Sequence, residues 1–258
     1  MPPHPGSPTL TLTAVTGLPL VQPGDDLPAL LLDAIHRQGL DFADGDILIL
    51  AQKIVSKAEN RLVYLPDLAV SDRSAALAAE TGKDPHLVQA ILDESRAVLR
   101  SRPGLIVVEH RLGFVCANAG IDHSNVRGDD DWVLLLPEDP DRSAAGIRTA
   151  LEAASGARIG VLIIDSHGRA WRNGTVGIAI GLSGLPGLVD LRGETDLLGR
   201  ELVATIIGAA DELAASASLV MGQAAEGIPA VHARGFPYSL RDGGLPELLR
   251  SKESDLFR

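Results

Sequence analysis

Polar and apolar residues alternate from Thr9 to Val15 (TLTLTAV), the period of two that marks a half-buried strand. The turn-rich loop GLPLVQPGDD (17–26) follows, and Asp25 or Asp26 is placed to cap a helix through LPALLLDAIHRQ that stops at Gly39. The pattern then changes to an unbroken apolar run, ILILA (47–51), the signature of a buried strand, and QKIVSKAENR gathers basic and hydroxyl groups at its exit. Apolar positions Leu87, Val88, Ile91, Leu92, Val98 and Leu99 predict a helix over HLVQAILDESRAVLRS (86–101). GLIVVEH and GFVCANAG read as a hairpin pair turning at Arg111 and Leu112. VLLLP (133–137) reads as a short strand, and SAAGIRTALEAAS (143–155) as a helix. ARIGVLIID (157–165) is a buried strand running out into the polar HGRAWRNG. TVGIAIG (175–181) is a further strand, LLGRELVATIIGAADELAASASLVMG (197–222) the longest helix, and GIPAVHARGF (227–236) the last strand. Helices and strands alternate without the strict order of a doubly wound sheet, so an α+β fold with mixed sheets is expected. Four prolines in residues 1–8 predict a loose arm over residues 1–9, and residues 10–258, which lack repeats and long linkers, read as one module.

Composition narrows the function. The 258 residues are 45% hydrophobic and 22% charged, which suits a folded soluble chain, and a net charge of −11 disfavours nucleic acid and anionic lipid as partners. Only four Phe, two Tyr and two Trp are present, too few for a stacking platform. No signal-peptide pattern opens the chain, and no apolar run approaches the ~18–20 residues of a membrane span. The single cysteine, Cys116, rules out an internal disulfide, so the expectation is a cytoplasmic protein.

The Walker, dinucleotide, zincin and nucleophile-elbow motifs are all absent. What remains is a set of carboxylates at strand ends. Asp165 follows VLII and precedes Ser166; such a rigidly held carboxylate suits Mg²⁺, and equally it could only cap a turn. Asp122 stands with Gly120, Ser124 and Asn125 in oxygen-rich, small-residue surroundings, which alone would be an Asx-rich turn. Lys53 and Lys57, with Ser56, follow ILILA as phosphate contacts or as a solvated helix start. Arg169 and Arg172 form a second basic pair beside Trp171. MGQAAEGIP brings Gln223 and Glu226 among small residues, where backbone approaches a ligand closely, or where a helix merely ends. His110 and His123 are acid/base candidates that phosphoryl chemistry hardly needs. Cys116 reads as a core residue, and the acids of GDDDW as a solvated loop, with metal binding the lesser alternative.

Taken in order, GLPL (17–20), ILAQKIVSKAENR (49–61), EHRLGFVCANAGIDHSN (109–125), IIDSHGRAWRNGTVGIAIG (163–181) and MGQAAEGIP (221–229) resemble the coenzyme F-420:L-glutamate ligase family over nearly the whole chain. The resemblance implies an enzyme that uses GTP and divalent metal to join L-glutamate to the carboxylate of the deazaflavin coenzyme precursor through an acyl phosphate, extending the tail by γ-glutamyl links. It implies two cations, Mg²⁺ or Mn²⁺, and extends to K⁺. Carried onto this sequence, Leu18, Pro19, Leu20, Val21, Gln52, Lys57, Asn125, Met221, Gly222, Gln223, Ala224, Ala225, Glu226, Gly227 and Ile228 would contact GTP. Asp122 and Asp165 would be the catalytic carboxylates holding one metal, and Ser166 and Gln223 would serve a second. Ser166 stands where Thr is common, and Asn60 where Gly is frequent. The implied fold is a mixed α+β arrangement in two intertwined subdomains, neither Rossmann nor P-loop, in a butterfly-shaped homodimer. The chain stops at SDLFR, so a fused nitroreductase-like domain is not expected. A metal-dependent phosphohydrolase, or a non-catalytic deazaflavin- or nucleotide-binding protein, would use the same residues.

Overall fold

The computed structural model describes residues 9–126 and 130–255. The arm expected at residues 1–9 therefore falls, apart from Thr9, outside the described residues, as does part of GDDDW. The elements run β1 (Thr11–Val15), α1 (Leu27–Arg37), β2 (Ile47–Ala51), α2 (Gln52–Ala58), β3 (Leu62–Tyr64), α3 (Asp72–Thr81), α4 (Pro85–Asp93), β4 (Ser95–Arg102), β5 (Leu105–His110) and β6 (Val115–Ala117). They continue with β7 (Trp132–Leu134), α5 (Pro140–Ser155), β8 (Gly160–Arg169), β9 (Arg172–Ser183), β10 (Val189–Asp190), β11 (Ile206–Ile207), α6 (Ala209–Met221) and β12 (Ala230–Arg234).

A five-stranded sheet in the order β1-β12-β2-β8-β9 organises the molecule. Only β2 and β8 are parallel; the other pairings are antiparallel, which makes the sheet mixed, as the irregular element order implied. Its central strands are apolar on both faces because both faces are covered. Leu48, Leu50, Val161 and Ile163 pack with Leu31 and Ile35 of α1 and Ile147 and Leu151 of α5. The alternate residues Ile47, Ile49, Leu162 and Ile164 pack with Leu213, Ala214, Ala217 and Met221 of α6. The alanine-rich face of α6 lets it lie close on β9, where a Cβ at Gly177 would stand 2.7 Å from the Ala214 carbonyl oxygen. A three-stranded antiparallel sheet, β4-β5-β6, lies beside this core, with short pairs β3-β7 and β10-β11 apart from it. Among the described residues no helix is long and apolar enough to cross a membrane.

The N-cap of α1 is Asp26, whose carboxylate accepts from Ala29 N at 3.1 Å, and the β5–β6 hairpin turns where expected. Two helices are shorter than the periodicity predicted. The helix expected over 86–101 ends at Asp93, and Ser95 starts a strand paired with β5. Two register shifts, at Ser95/Ala97 and Val98/Arg100, break the period of two in β4 and leave apolar spacings that mimic a helix. The helix expected over 197–222 occupies only Ala209–Met221. Its first half belongs to an arm carrying β10 and β11, where Gly193 and Gly199 take φ of 87° and 82° and the Asp196 carboxylate accepts from Leu198 N and Arg200 N. HGRAWRNG, expected to leave the sheet, instead continues β8 and turns at Ala170–Trp171 into β9. Helix α3 and strand β3 had no counterpart in the sequence reading.

Candidate active site

The cavity forms because four chain segments reach the same end of the large sheet. The carboxyl ends of β1 and β2 lie there, β12 begins there, and β8 runs on beyond it. Ala51 pairs with Ile164 at the end of the β2–β8 ladder, so Asp165 is the first residue of β8 past its parallel neighbour. Loops leaving β1 and entering β12, the start of α2, and the segment after β6 therefore enclose one cavity of about 770 Å³. Leu18, Pro19, Leu20, Val21, Gln52, Lys57, Asp122, Asn125, Asp165, Ser166 and all eight residues Met221 to Ile228 line it, so the structure brings into one place every residue that the family resemblance assigns to nucleotide or metal.

Asp122 is fixed by its backbone, which exchanges hydrogen bonds with Leu134 in both directions at 3.0 and 2.9 Å. Just ahead of it, Asn118, Ala119 and Gly120 carry φ of 49°, 54° and 65°, a left-handed turn that costs L-residues energy and is steadied by Ile106 N donating to Asn118 Oδ1 at 3.1 Å. Gln52 Nε2 donates to Asp122 Oδ2 at 2.7 Å while Gln52 Oε1 accepts from Ser56 Oγ at 2.8 Å, so the side chain of buried Gln52 links Asp122 to α2. Lys53 Nζ lies 3.2 Å from Asp122 Oδ1 and donates to Ser124 Oγ at 2.9 Å. Burial pushes the Asp122 carboxyl up to about 6; Lys53 opposes this, and the charge of Asp165 adds to it. Lys57 donates to the Asn125 carbonyl at 2.7 Å, and burial followed by the neighbouring charge of Lys53 lowers its pKa.

On the other side, Ser166 Oγ donates to Gln223 Oε1 at 2.7 Å, tying β8 to the loop after α6. That loop holds itself, with Ala224 N donating to the Glu226 carboxylate at 2.8 Å, and Asn125 Nδ2 reaches Ala224 O at 3.4 Å. Gly222, with φ 73° and ψ −176°, turns the chain out of α6 in a conformation only glycine adopts freely.

Other candidates lie elsewhere. Arg169 and Arg172 are exposed near the β8–β9 turn and do not line the cavity. His123 lines a second cavity of about 300 Å³ with Asp84 and His86. His110 is fully buried beneath the site. Cys116 is a core residue whose thiol is pushed up to about 12 by burial and by Asp165. Asn60 takes φ 56°, which explains how it stands at a glycine-like position. His167 was not singled out, yet it lines the cavity and its Nε2 lies 2.9 Å from Asp165 Oδ2. The spacing i, i+2 on one strand, which puts both side chains on one face, was the signal. Among the described residues no three His, Cys, Asp or Glu groups are placed to share a metal ion, so any cation here would rest on carboxylate pairs, hydroxyl and amide oxygens.

Residues 17–235 match the family described as F420-0:Gamma-glutamyl ligase. The chain is 50% identical over 251 residues to the coenzyme F420:L-glutamate ligase of Methanothermobacter thermautotrophicus, covering 96% of this chain and 99% of that protein. It is 45% identical over 257 residues to the protein of the same name from Methanopyrus kandleri, covering 98% and 99%. With that of Methanocaldococcus jannaschii it shares 46% identity over 215 residues, covering 83% and 85%.

Proposed function

The chain belongs to the F420-0:gamma-glutamyl ligase family, and from that premise we propose that it is a GTP-dependent ligase joining L-glutamate to the carboxylate of the deazaflavin coenzyme F-420 precursor, with further γ-linked glutamates added in later turns. The observation that carries this reading is the meeting of Asp122, Asp165, Lys57 and the 221–228 loop around one cavity of about 770 Å³, room for a nucleotide beside an acceptor.

The residues fit hard divalent cations. All donors are oxygens, and burial, with the charge of Asp165 added to it, holds the Asp122 carboxyl at about 6, a cost that a cation relieves. Asp122 and Asp165 would hold one Mg²⁺ or Mn²⁺, and Ser166 and Gln223 would serve a second, with K⁺ as a further candidate. Bound there, the ions would neutralise phosphate charge and orient the transferring phosphoryl group. Lys57 exchanges the Asn125 carbonyl for a phosphate oxygen. Leu18, Pro19, Leu20 and Val21 face the nucleotide from one side, Met221 to Ile228 from the other, and Gln52 and Asn125 complete the contacts. An oxygen of the precursor carboxylate attacks the γ-phosphorus as its bond to GDP breaks, forming an acyl phosphate. The glutamate amine then attacks the acyl carbon, phosphate leaves, and the amine proton passes to solvent.

We also place the enzyme in the cytoplasm, in keeping with its single buried cysteine, and as a homodimer, in keeping with the exposed leucines of the β10–β11 arm. Incubation with precursor, L-glutamate, GTP and Mn²⁺, followed by mass analysis, tests the activity: an amide product is expected. Phosphate release alone would make the protein a phosphohydrolase, and neither product a binding protein. GTP should exceed ITP, and ITP exceed ATP, in kcat/KM, because a site that pairs the guanine edge leaves buried polar groups unpaired at about 1–3 kcal/mol each with the wrong base.

A further inference from the structure

We propose that His167 is the positioning residue for Asp165, holding its carboxylate for a cation through an Nε2–Oδ2 hydrogen bond, and that a buried ring stack of Phe114 and His110 sets the plane of the His167 ring. The inference rests on the metal-binding reading of Asp165. A carboxylate oxygen can only accept, so His167 Nε2 carries the hydrogen in the 2.9 Å contact, and one oxygen of Asp165 is thereby fixed while the other is left to the cavity. Carboxylates that hold cations need such partners, since a ligand free to rotate loses its preorganisation on every turnover. Asp122 has its own in Gln52 and Lys53; His167 is the corresponding partner for Asp165.

The ring is not free to choose its plane. Phe114 packs on His167 with centroids 5.3 Å apart and planes at 58°, and Phe114 stacks on His110 at 5.1 Å with planes 5° apart. All three rings are buried. Behind them His110 Nδ1 accepts from Leu112 N at 3.1 Å, anchoring the stack to the β5–β6 turn. The chain of contacts runs from a rigid hairpin to one oxygen of a proposed metal ligand.

Mn²⁺ alone, titrated calorimetrically into the wild-type, Asp165→Asn, His167→Phe, His167→Gln and Phe114→Leu proteins, tests the inference, with near-ultraviolet dichroism to confirm folding. His167→Phe should weaken Mn²⁺ binding by about 10–100-fold, the usual effect of losing a partner of a ligand. His167→Gln, whose amide nitrogen reaches the place of Nε2, should recover to within about threefold of wild type, and Phe114→Leu should fall between the two. Wild-type affinity in His167→Phe overturns the proposal, as does a His167→Gln protein as weak as His167→Phe, which would make the residue structural. Unchanged affinity in Phe114→Leu overturns the role of the stack. Equal Mn²⁺ binding by wild type and Asp165→Asn would show instead that the metal reading has failed, and the inference with it.

Discussion

Asp122 and Asp165 face one cavity, and the Asp122 carboxyl bears there the cost of burial first and of the neighbouring Asp165 charge after it. Held at about 6, above its unfolded value, this group is destabilising when ionised in the metal-free protein: its own contribution is most favourable below about pH 4 and is lost as pH rises through about 6. Asp122→Asn should therefore remove metal-dependent turnover by at least about 100-fold while raising metal-free stability at pH 7 by about 1–2 kcal/mol, discounted because a quarter of the side chain is open to solvent. Urea unfolding in a chelator, set beside turnover, checks both halves; an active variant would remove Asp122 from the metal. Asp165→Asn should be equally inactive, since it too exchanges a charged ligand for a neutral one. At Gly222 the constraint is conformational. A Cβ there would run into the Glu226 side chain, and φ 73° with ψ −176° is strained for any other residue. Gly222→Ala should cost about 1–3 kcal/mol or shift the loop, and in either case weaken GDP binding, measured by calorimetry.

The joint between α4 and β4 shows both what a pattern of residues conveys and where it stops. Apolar spacing fitted a helix through Ser101, but Glu94 ends it, because its carboxylate is taken by Arg61 Nη2 at 3.0 Å and Arg111 Nε at 2.8 Å, partners 33 and 17 residues away. No local period announces such contacts. Burial works against ionisation of Glu94, and the approach of His110, at 3.6 Å, with the bonds and charges of Arg111 and Arg61 outweighs it, holding the group at about 2. Lowered below its ordinary value, it stabilises the fold fully above about pH 4.5, and that contribution fades as pH falls toward about 2. Glu94→Gln should cost about 2–3 kcal/mol at pH 7 and flatten the acid limb of the stability curve, which urea titrations at pH 7 and pH 3 would register; an unaltered acid limb would contradict the assignment. The candidate site was more legible than this joint. Asp122 and Asp165 stand where apolar segments give way to small polar residues, and packing of the three-stranded sheet's end against the large sheet brings the two to one cavity. His167 is less legible because the strand predicted over 157–165 stops short of it, which hides its i, i+2 relation to Asp165, and its contact with Phe114 comes only through tertiary packing.

At the scale of the whole molecule, the cavity lies at the end of the large sheet, whereas the β10–β11 arm carries apolar side chains that are uncovered in the single chain. Leu197 and Leu198 are 104% and 94% exposed, Val203 is 80% exposed, and Leu219 on the outer face of α6 is 86% exposed. The helix predicted over 197–222 takes in Leu197, Leu198 and Val203 because apolar spacing alone does not say whether a position packs inward or lies open. In the homodimer proposed above, burying each leucine contributes about 1.5–3 kcal/mol, an upper bound before ordering costs, and a dimer buries each position twice. Leu197→Asp with Leu198→Asp should therefore weaken association by more than about a thousandfold and give a monomer in sedimentation velocity at micromolar concentration. Because neither Leu197 nor Leu198 lines the cavity, GDP and Mn²⁺ affinities of that monomer should stay within about threefold of wild type, a separation of assembly from binding that calorimetry can measure. A double variant that still sediments as a dimer would move the interface off the arm. Loss of GDP binding together with assembly would mean that the cavity is completed by the partner subunit.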